Sequence, residues 1–344
     1  MLPRESIRAL SEFVRAEAQA ERADVGIERS LPGNAGREHY LVAADIAGGP
    51  FAGRHALVLR GQAQERGPGG LVSAEEFAIR SVAFEAGLTT PEPLWLEASG
   101  AVLGRPFMVL RHAAGTTDPA ELQRELSAEQ GDRLAYRLGQ ELARLHRIGM
   151  DRAPAALAFL SRPDADWAEQ RAAGWRSALD GIALPQPTFE WAMNWFVDHA
   201  PRVEAFALCH RDPRLGNFVI EGERLIAILD LEQFGWSDPM EDLGWLCARN
   251  ARHGLPDREA GGIGSREALY DGYKDIAGRE VDDRRVRFWE IGAALRHGIA
   301  ALERAARPAG DAEQGLQAML TGLRSIEAEY DLLLEIDHFT AEGA

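Results

Sequence analysis

Residues 209–232 read CHRDPRLGNFVIEGERLIAILDLE, a stretch in which five carboxylates and one side-chain amide stand among apolar runs. The apolar runs predict three short strands, with Asp212 and Asn217 on the turn after the first strand and Asp230 at the end of the third. Side chains at these positions can point into one cleft. Oxygen ligands for a metal beside a carboxylate that accepts a proton are what phosphoryl transfer from Mg-ATP requires. The segment therefore predicts phosphoryl-transfer chemistry.

The spacing of these residues is that of a kinase catalytic loop. His210-Arg211-Asp212 followed by Asn217 fits the pattern H-R-D-x-x-x-x-N. Asp230 falls where a second metal-binding carboxylate belongs, one hairpin later. Asp230-Leu231-Glu232 stands where a protein kinase has Asp-Phe-Gly, and no activation-loop or Ala-Pro-Glu signature follows it. The motif thus favours a kinase that is not a protein kinase.

With the Asp238-Pro239 and Asp242-Leu243 pairs that follow, these motifs resemble the aminoglycoside phosphotransferase/choline kinase-like family of small-molecule kinases. The block at 215–249 is also similar to the kinase-type domains attached to some acyl-CoA dehydrogenases. The resemblance spans most of residues 25–300 and is most specific within 208–246. It implies ATP and Mg²⁺ as cofactors. It also implies a small-molecule hydroxyl group as the phosphate acceptor, on an aminoglycoside, an amino alcohol or a hydroxyacyl compound.

The resemblance implies a role for each residue of the motif. Asp212 becomes the catalytic base, while Asn217 and Asp230 hold magnesium and Glu232 adds a metal contact or supports one. Arg214 either contacts the transferred phosphate or forms a surface ion pair. We expect two further residues to brace the loop by hydrogen bonds: His210 and Asp242.

A nucleotide-binding lobe also needs a flexible turn over the phosphates. The candidate is LPGNAGREHYLV at 31–42, in which Gly33 and Gly36 precede a strand that begins near Arg37. This stretch departs from the Gly-Gly-x-Ser-Asn-like turn of the family, so an ordinary hairpin turn is the alternative. We predict that Gly33, Gly36 and Arg37 contact the nucleotide.

The cation that holds the α- and β-phosphates cannot be a strand lysine, because the single lysine of the chain is Lys274. We predict Arg60, at the end of HALVLR, in its place, since a guanidinium can bridge phosphate oxygens. Its partner acid would be Glu76, or Glu75 as a second choice, on a helix that starts with a Ser N-cap.

PFMVLRHAAG at 106–115 is the predicted hinge between the lobes. Backbone groups from Leu110 to His112 are expected to pair with the adenine. Met108 is either the residue that gates the adenine pocket or simple core.

These elements predict an α+β chain with a two-lobed protein-kinase-like fold, in which a small antiparallel β lobe precedes a large, mainly helical lobe. We place the nucleotide-binding lobe at 1–112, with a leading helix at 1–20, and the catalytic and acceptor-binding lobe at 113–344. Strands are predicted near 25–31, 38–46 and 55–60, a helix at 73–87 and two more strands within 91–115. Mostly helical patterns begin at about 119.

Composition excludes several other classes of protein. A net charge of −16 argues against nonspecific nucleic-acid and membrane binding, and there is no apolar run long enough to cross a bilayer. Two cysteines, with no secretory leader pattern, fit a reduced cytoplasmic setting. The 344 residues suffice for two lobes.

The acceptor is open at this stage. Residues 113–344 hold 26 basic and 40 acidic residues, which suits a cationic acceptor, although a solvated acidic surface explains the excess equally. Four tryptophans on two predicted helices either wall an acceptor pocket or belong to the core: Trp167, Trp175, Trp191 and Trp195. The alternative from another class is a non-catalytic pseudokinase, favoured by the irregular phosphate turn and the missing lysine.

Overall fold

The computed structural model describes residues 3–31, 39–61, 73–182, 184–306 and 312–342. Within these ranges a five-stranded antiparallel sheet is followed by a mainly helical lobe, so the predicted two-lobed α+β fold is confirmed. The boundary after residue 112 stays a prediction. It lies between the last strand of the sheet, which ends at Arg111, and the next helix, which begins at Pro119.

The small lobe is a sheet with the strand order β1-β2-β3-β5-β4. Its strands are β1 (Arg22–Leu31), β2 (His39–Ala47), β3 (Gly53–Gly61), β4 (Pro93–Glu97) and β5 (Phe107–Arg111). Alternate residues of β3, Leu57 and Leu59, are buried, which is the pattern of a sheet covered on one face. Helix α1 (Arg4–Glu17) covers this face with Leu10 and Val14. Helix α2 (Ser73–Glu85) connects β3 to β4.

The large lobe is built from eight α-helices in the described part of the chain. They are α3 (Pro119–Glu125), α4 (Ala128–Leu145), α5 (Trp167–Leu179), α6 (Pro187–Asp198), α7 (Met240–Cys247), α8 (Arg266–Ala277), α9 (Asp283–Ala306) and α10 (Ala312–Glu342). A capping box fixes the start of α4, in which Ser127 and Gln130 exchange side-chain and backbone hydrogen bonds. Helix α7 is buried along its whole length, so the loops that contact it have a rigid support.

Two small antiparallel pairs interrupt the helices. They are formed by β6 (Ala207–Cys209) with β9 (Gly235–Ser237), and by β7 (Phe218–Glu221) with β8 (Arg224–Ile228). All of β6 and β9 is buried, and only the outer end of the β7–β8 hairpin is exposed. The loops at 210–217 and 229–234 therefore leave well-anchored strands on the same side of the lobe.

The chain between the lobes is tied to the β7–β8 hairpin. Thr116 and Ile220 exchange two backbone hydrogen bonds of 2.9 Å. The preceding residue, Gly115, has φ +149°, and a Cβ atom there would lie 2.6 Å from the carbonyl oxygen of Ile220. None of the described helices combines the length and the apolar character needed to cross a bilayer.

Candidate active site

The loop that carries Asp212 is held from below by one buried carboxylate. Asp242, in the first turn of α7, accepts hydrogen bonds from the backbone N–H groups of His210 (2.8 Å) and Arg211 (2.7 Å). Its Oδ2 atom also lies 2.9 Å from Nε2 of His146. These contacts hold Arg211 at φ +64°, a conformation that costs free energy in a residue with a side chain. The predicted bracing role of Asp242 is confirmed.

His210 links this loop to the one that carries Asp230. Its Nε2 atom lies 2.9 Å from the carbonyl oxygen of Leu229. The N–H of Leu229 donates in turn to the carbonyl oxygen of Asn217 over 2.7 Å. His210 thus braces the loop, as predicted, and fixes the two oxygen-bearing loops relative to each other.

Asp212, Arg214 and Asn217 contact one another. Nδ2 of Asn217 donates to the carbonyl oxygen of Asp212 (2.9 Å) and to its Oδ2 (3.2 Å). Nε of Arg214 donates to the same Oδ2 over 3.2 Å, although this arginine is 44% exposed. Since both hydrogen bonds of Asn217 use its nitrogen, its side-chain oxygen stays available to a cation.

Asp230 is the carboxylate best placed for a metal ion. It follows β8 and adopts φ +59°, the left-handed conformation. Its side chain makes no hydrogen bond or ion pair with any residue that the structure describes. A half-buried carboxylate and a side-chain amide oxygen are hard oxygen donors of the kind that Mg²⁺ prefers, so Asp230 and Asn217 fit that ion.

The predicted pairing of Arg60 with Glu76 is present in the structure. Nε of Arg60 lies 2.8 Å from Oε1 of Glu76, as an ion pair whose angle is not that of a hydrogen bond. The same Oε1 atom accepts a hydrogen bond of 2.7 Å from the buried Arg80. The Arg60 guanidinium also lies 3.4 Å from Glu232 and 3.0 Å from Nε2 of His39. Glu232, which was predicted near the metal, therefore also contacts the guanidinium of Arg60.

A cavity of about 520 Å³ separates the two lobes and brings these groups together. Its described lining includes six of the predicted site residues: Arg60, Leu110, His112, Arg214, Asn217 and Asp230. Asp212, Glu76 and Glu232 are not part of that lining, and each contacts a residue that is. Among the described residues, five arginines and one acidic residue line the cavity, so it suits a polyanion in a chain whose net charge is −16.

Among the described residues, the hinge amides of 113–115 have no backbone acceptor. The N–H of Arg111 donates to Glu92 and that of His112 donates to Ala56, whereas among the described residues the N–H of Ala113 has no backbone acceptor. Ala113 also lines the cavity. The Ala113 amide is thus free to pair with a base next to the predicted range, and the predicted contacts from Leu110 to His112 stay a prediction. Met108 is buried and does not line the cavity, so the structure places it in the core.

Three predicted nucleotide contacts, Gly33, Gly36 and Arg37, lie outside the described residues. Sequence reasoning also missed Arg80, which neutralises Glu76 together with Arg60. Its spacing of four residues from Glu76 on α2 was the available signal.

A second cavity, of about 540 Å³, lies in the large lobe next to the catalytic loop. Trp167 and Trp175 line it, whereas Trp191 is exposed and Trp195 packs in an aromatic cluster. Of the two alternatives left open for the tryptophans, both apply to Trp167 and Trp175, which belong to the core and line this cavity, whereas Trp195 belongs to the core alone. Arg211 contributes to the lining, so this cavity begins at the residue before Asp212.

A small β lobe, a short hinge and a helical lobe whose acidic loops face an arginine-lined cavity define the architecture of a kinase-like phosphotransferase. The model of the phosphotransferase enzyme family matches residues 70–289, more than half of the chain. The chain belongs to this family.

The chain is also similar to individual proteins of known name or structure. Acyl-CoA dehydrogenase family member 10 of Mus musculus is 25% identical over 179 residues, which cover 50% of this chain and 16% of that protein. A putative aminoglycoside phosphotransferase from Ralstonia eutropha superimposes with a TM-score of 0.74 at 18% identity, covering 96% of this chain and 98% of that chain. The streptomycin–ATP complex of APH(2")-IIa gives a TM-score of 0.58 at 15% identity, with 94% and 97% coverage. At these identities the solved structures establish the fold alone.

Proposed function

We propose that this protein transfers the γ-phosphoryl group of ATP to a hydroxyl group of a small molecule, in a reaction that depends on Mg²⁺. One observation carries the proposal. Arg60, Asn217 and Asp230 line the same interlobe cavity, and the carboxylate of Asp212 is hydrogen-bonded to Asn217 at its edge. The arrangement has a cation for the phosphates, oxygen donors for a metal and a proton acceptor for the hydroxyl group.

Each residue of the site has a separate role in the proposed reaction. Arg60, held by Glu76, binds the α- and β-phosphates, and the Ala113 amide pairs with the base. Asp230 and Asn217 would hold Mg²⁺, which neutralises phosphate oxygens when it is bound. Asp212 accepts the acceptor's hydroxyl proton while the new O–P bond forms and the bond from phosphorus to the β-phosphate oxygen breaks, so ADP leaves.

The proposed acceptor is an aminoglycoside, an amino alcohol or a hydroxyacyl compound, and the reaction takes place in the cytoplasm. A protein acceptor is disfavoured by the short connection after Asp230. Only residues 231–239 separate that carboxylate from α7, and they form a single turn and β9. This leaves no room for an activation segment of the protein-kinase type.

The test compares two isosteric variants. Asp212→Asn should keep nucleotide and Mg²⁺ binding and lose about 10²–10⁴-fold in kcat, because the general base is removed. The matched control is Asp257→Asn, an exposed aspartate that lines neither cavity, which should behave like the unchanged protein. ADP release would be followed across a panel of hydroxyl compounds, with nucleotide binding measured by calorimetry. Full turnover by Asp212→Asn would reject the assignment.

The second candidate is a pseudokinase that binds nucleotide without turnover. The departures at 31–42 and the absence of a strand lysine favour it. Thermal shifts with nucleotide do not separate the two functions, because both proteins bind. ADP release with any acceptor in the panel supports the enzyme, and binding of Mg-ATP without release from any acceptor supports the pseudokinase.

A further inference from the structure

The second cavity is positively charged, although it lies in the more acidic part of the chain. Four arginines line it, Arg162, Arg171, Arg211 and Arg296, and Glu303 is the one acidic residue among the described lining. Its volume of about 540 Å³ is that of a small-molecule site. The overall charge of a chain and the charge inside one of its cavities are independent quantities.

Of Arg171, Arg211 and Arg296, only Arg171 has its charge fully neutralised by a described residue. Arg171 forms a two-point contact with the buried Glu241, at 2.7 and 3.1 Å. Arg211 lies 3.8 Å from the same carboxylate, beyond hydrogen-bond distance, and its buried Nε has no hydrogen-bond partner. One buried carboxylate therefore faces two guanidinium groups.

Arg296, on α9, has no ion-pair partner among the described residues. Its Nη2 donates to Oε1 of Gln233 over 2.9 Å, and its guanidinium lies 5.3 Å from the ring centre of Trp245. Burial lowers the pKa of Arg296, and the opposite charge of Asp212 acts against this. Burial also lowers the pKa of Arg211 to about 10, helped by repulsion from Arg171. Excess positive charge that is largely out of water is costly unless an anion compensates it.

The cavity is also close to the proposed base. Arg211 directly precedes Asp212, and Gln233, the partner of Arg296, directly follows Glu232. Arg214 and Asn217, which line the interlobe cavity, contact Asp212. Asp212 is thus next to residues that line the interlobe cavity and next to Arg211, which lines the second cavity.

We infer that the second cavity binds the phosphate acceptor, and that this acceptor carries an anionic group, a carboxylate or a phosphate, held by Arg211 and Arg296. The inference rests on the proposed function and names the substrate class of that same site. The rings of Trp167 and Trp175 suit an apolar body between the anionic group and the hydroxyl group. A cationic aminoglycoside or amino alcohol would meet like charge here, which disfavours two of the three acceptor classes.

The test uses acceptors that differ in one charge. 3-Hydroxyhexanoate is compared with its methyl ester, and glycerol 3-phosphate with glycerol, while choline and kanamycin represent cations. We expect the anionic member of at least one pair to have a kcat/KM about 10–100-fold higher than its neutral counterpart, the effect of a charge-assisted hydrogen bond. The two pairs separate a carboxylate from a phosphate.

Substitutions of Arg296 test whether this residue binds the anionic group of the acceptor. Arg296→Gln should reduce the anion's advantage at least tenfold, and Arg296→Lys should restore part of it, while the KM for ATP stays unchanged in both. The matched control is Arg304→Gln, exposed on the same helix. Circular dichroism and melting show whether each variant is folded, and the comparison of acceptors on the unchanged protein needs no variant.

The outcomes separate this inference from the proposed function. A preference for neutral or cationic acceptors overturns the inference and leaves the kinase assignment standing. Failure to phosphorylate any acceptor overturns the proposed function. A measurement of anion binding to the second cavity then tests the inference independently. Quenching of tryptophan fluorescence by 3-hydroxyhexanoate or glycerol 3-phosphate should occur with the unchanged protein and weaken at least tenfold in Arg296→Gln. Equal affinities, or no binding of either probe, would overturn it.

Discussion

Arg60 illustrates how one side chain can meet several requirements at a site. Its guanidinium lies within 2.8 to 3.4 Å of Glu76, His39 and Glu232. A guanidinium presents five donors in a rigid plane, whereas an ammonium is a compact point charge with a flexible stem. An arginine at this position can therefore hold its protein partners and still face a phosphate.

We expect Arg60→Lys to raise the KM for ATP by about tenfold or more, because a charge-assisted hydrogen bond is worth about 1.5–3 kcal/mol and a lysine cannot make all of these contacts at once. Steady-state kinetics and calorimetry with Mg-ATP measure the change. Arg54→Lys, on the exposed end of the same strand, is the control. Wild-type affinity in Arg60→Lys would show that this residue does not bind the phosphates.

The residues whose proximity could be predicted from sequence are those whose spacing follows a local pattern. Asp212, Asn217 and Asp230 follow a motif with fixed spacing, so their convergence could be foreseen. Arg296 lies more than 80 residues beyond the Asp212 loop, on helix α9, and no local pattern relates the two. Contacts of that kind depend on how α9 packs, which sequence spacing does not encode.

Between elements, Glu241 joins three parts of the large lobe. Glu241 lies in the first turn of α7 and forms an ion pair with Arg171 of α5. Arg211 of the catalytic loop lies nearby, and the hydroxyl group of Ser237 in β9 donates a hydrogen bond to Glu241. Burial alone would raise the pKa of Glu241, but the guanidinium groups of Arg171 and Arg211 outweigh burial and hold this pKa at about 2. The carboxylate is therefore charged in the folded protein at all but very low pH.

This lowered pKa predicts how stability depends on pH. An unfolded glutamate has a pKa near 4.3, so the ion pair contributes fully above that pH and its contribution is lost as pH falls towards 2. The contribution is on the order of 3 kcal/mol. We expect Glu241→Gln to lower the free energy of unfolding by about 3–5 kcal/mol at pH 7, and the gap to narrow between about pH 4.5 and 2.

Urea unfolding at pH 7, 5, 4 and 3 measures this gap. Glu190→Gln is the control, since its ion pair with Arg176 is 48% exposed on the acidic side and should contribute at most about 1 kcal/mol. A gap between Glu241→Gln and the unchanged protein that stays constant from pH 7 to pH 3 would contradict the low pKa.

The elements were easier to predict than their contacts. Helix α2 was expected at 73–87 and spans Ser73–Glu85, because a Ser cap and a following glycine mark its ends. Helix α4, which falls within the mostly helical pattern predicted from about 119, spans Ala128–Leu145, and the capping box at Ser127 sets its start. The arginine-lined cavity could not be predicted, because α5, the catalytic loop, β9 and α9 all contribute to it.

For the molecule as a whole, the interlobe cavity and the second cavity meet at the catalytic loop. The hinge fixes the position of the β lobe relative to the helical lobe. Gly115 precedes the Thr116–Ile220 bridge, which ties the segment after β5 to the β7–β8 hairpin. The hinge glycine has two independent constraints: its φ of +149° disfavours any side chain, and the space for a Cβ atom is taken by the carbonyl oxygen of Ile220.

Gly115→Ala should therefore shift the β lobe relative to the helical lobe. We expect a loss of stability on the order of 1–3 kcal/mol, the cost of a strained backbone residue. The KM for ATP should also rise, because Arg60 and the Ala113 amide would move away from Asn217 and Asp230. Thermal melting and steady-state kinetics measure the two effects. Gly26→Ala is the control, since its Cβ would meet no atom within 4 Å.

The two readouts distinguish a hinge from simple packing. If Gly115 only fills space, Gly115→Ala lowers the melting temperature while the KM for ATP stays at the wild-type value in the folded protein. If Gly115 fixes the position of one lobe relative to the other, the KM for ATP rises at temperatures well below the melting transition. Saturating Mg-ATP then restores part of the lost melting temperature, because the ligand binds only the folded state. An unchanged KM for ATP would contradict the hinge role, because the proposed nucleotide site combines Arg60 and Ala113, which precede Gly115, with Asn217 and Asp230, which follow it.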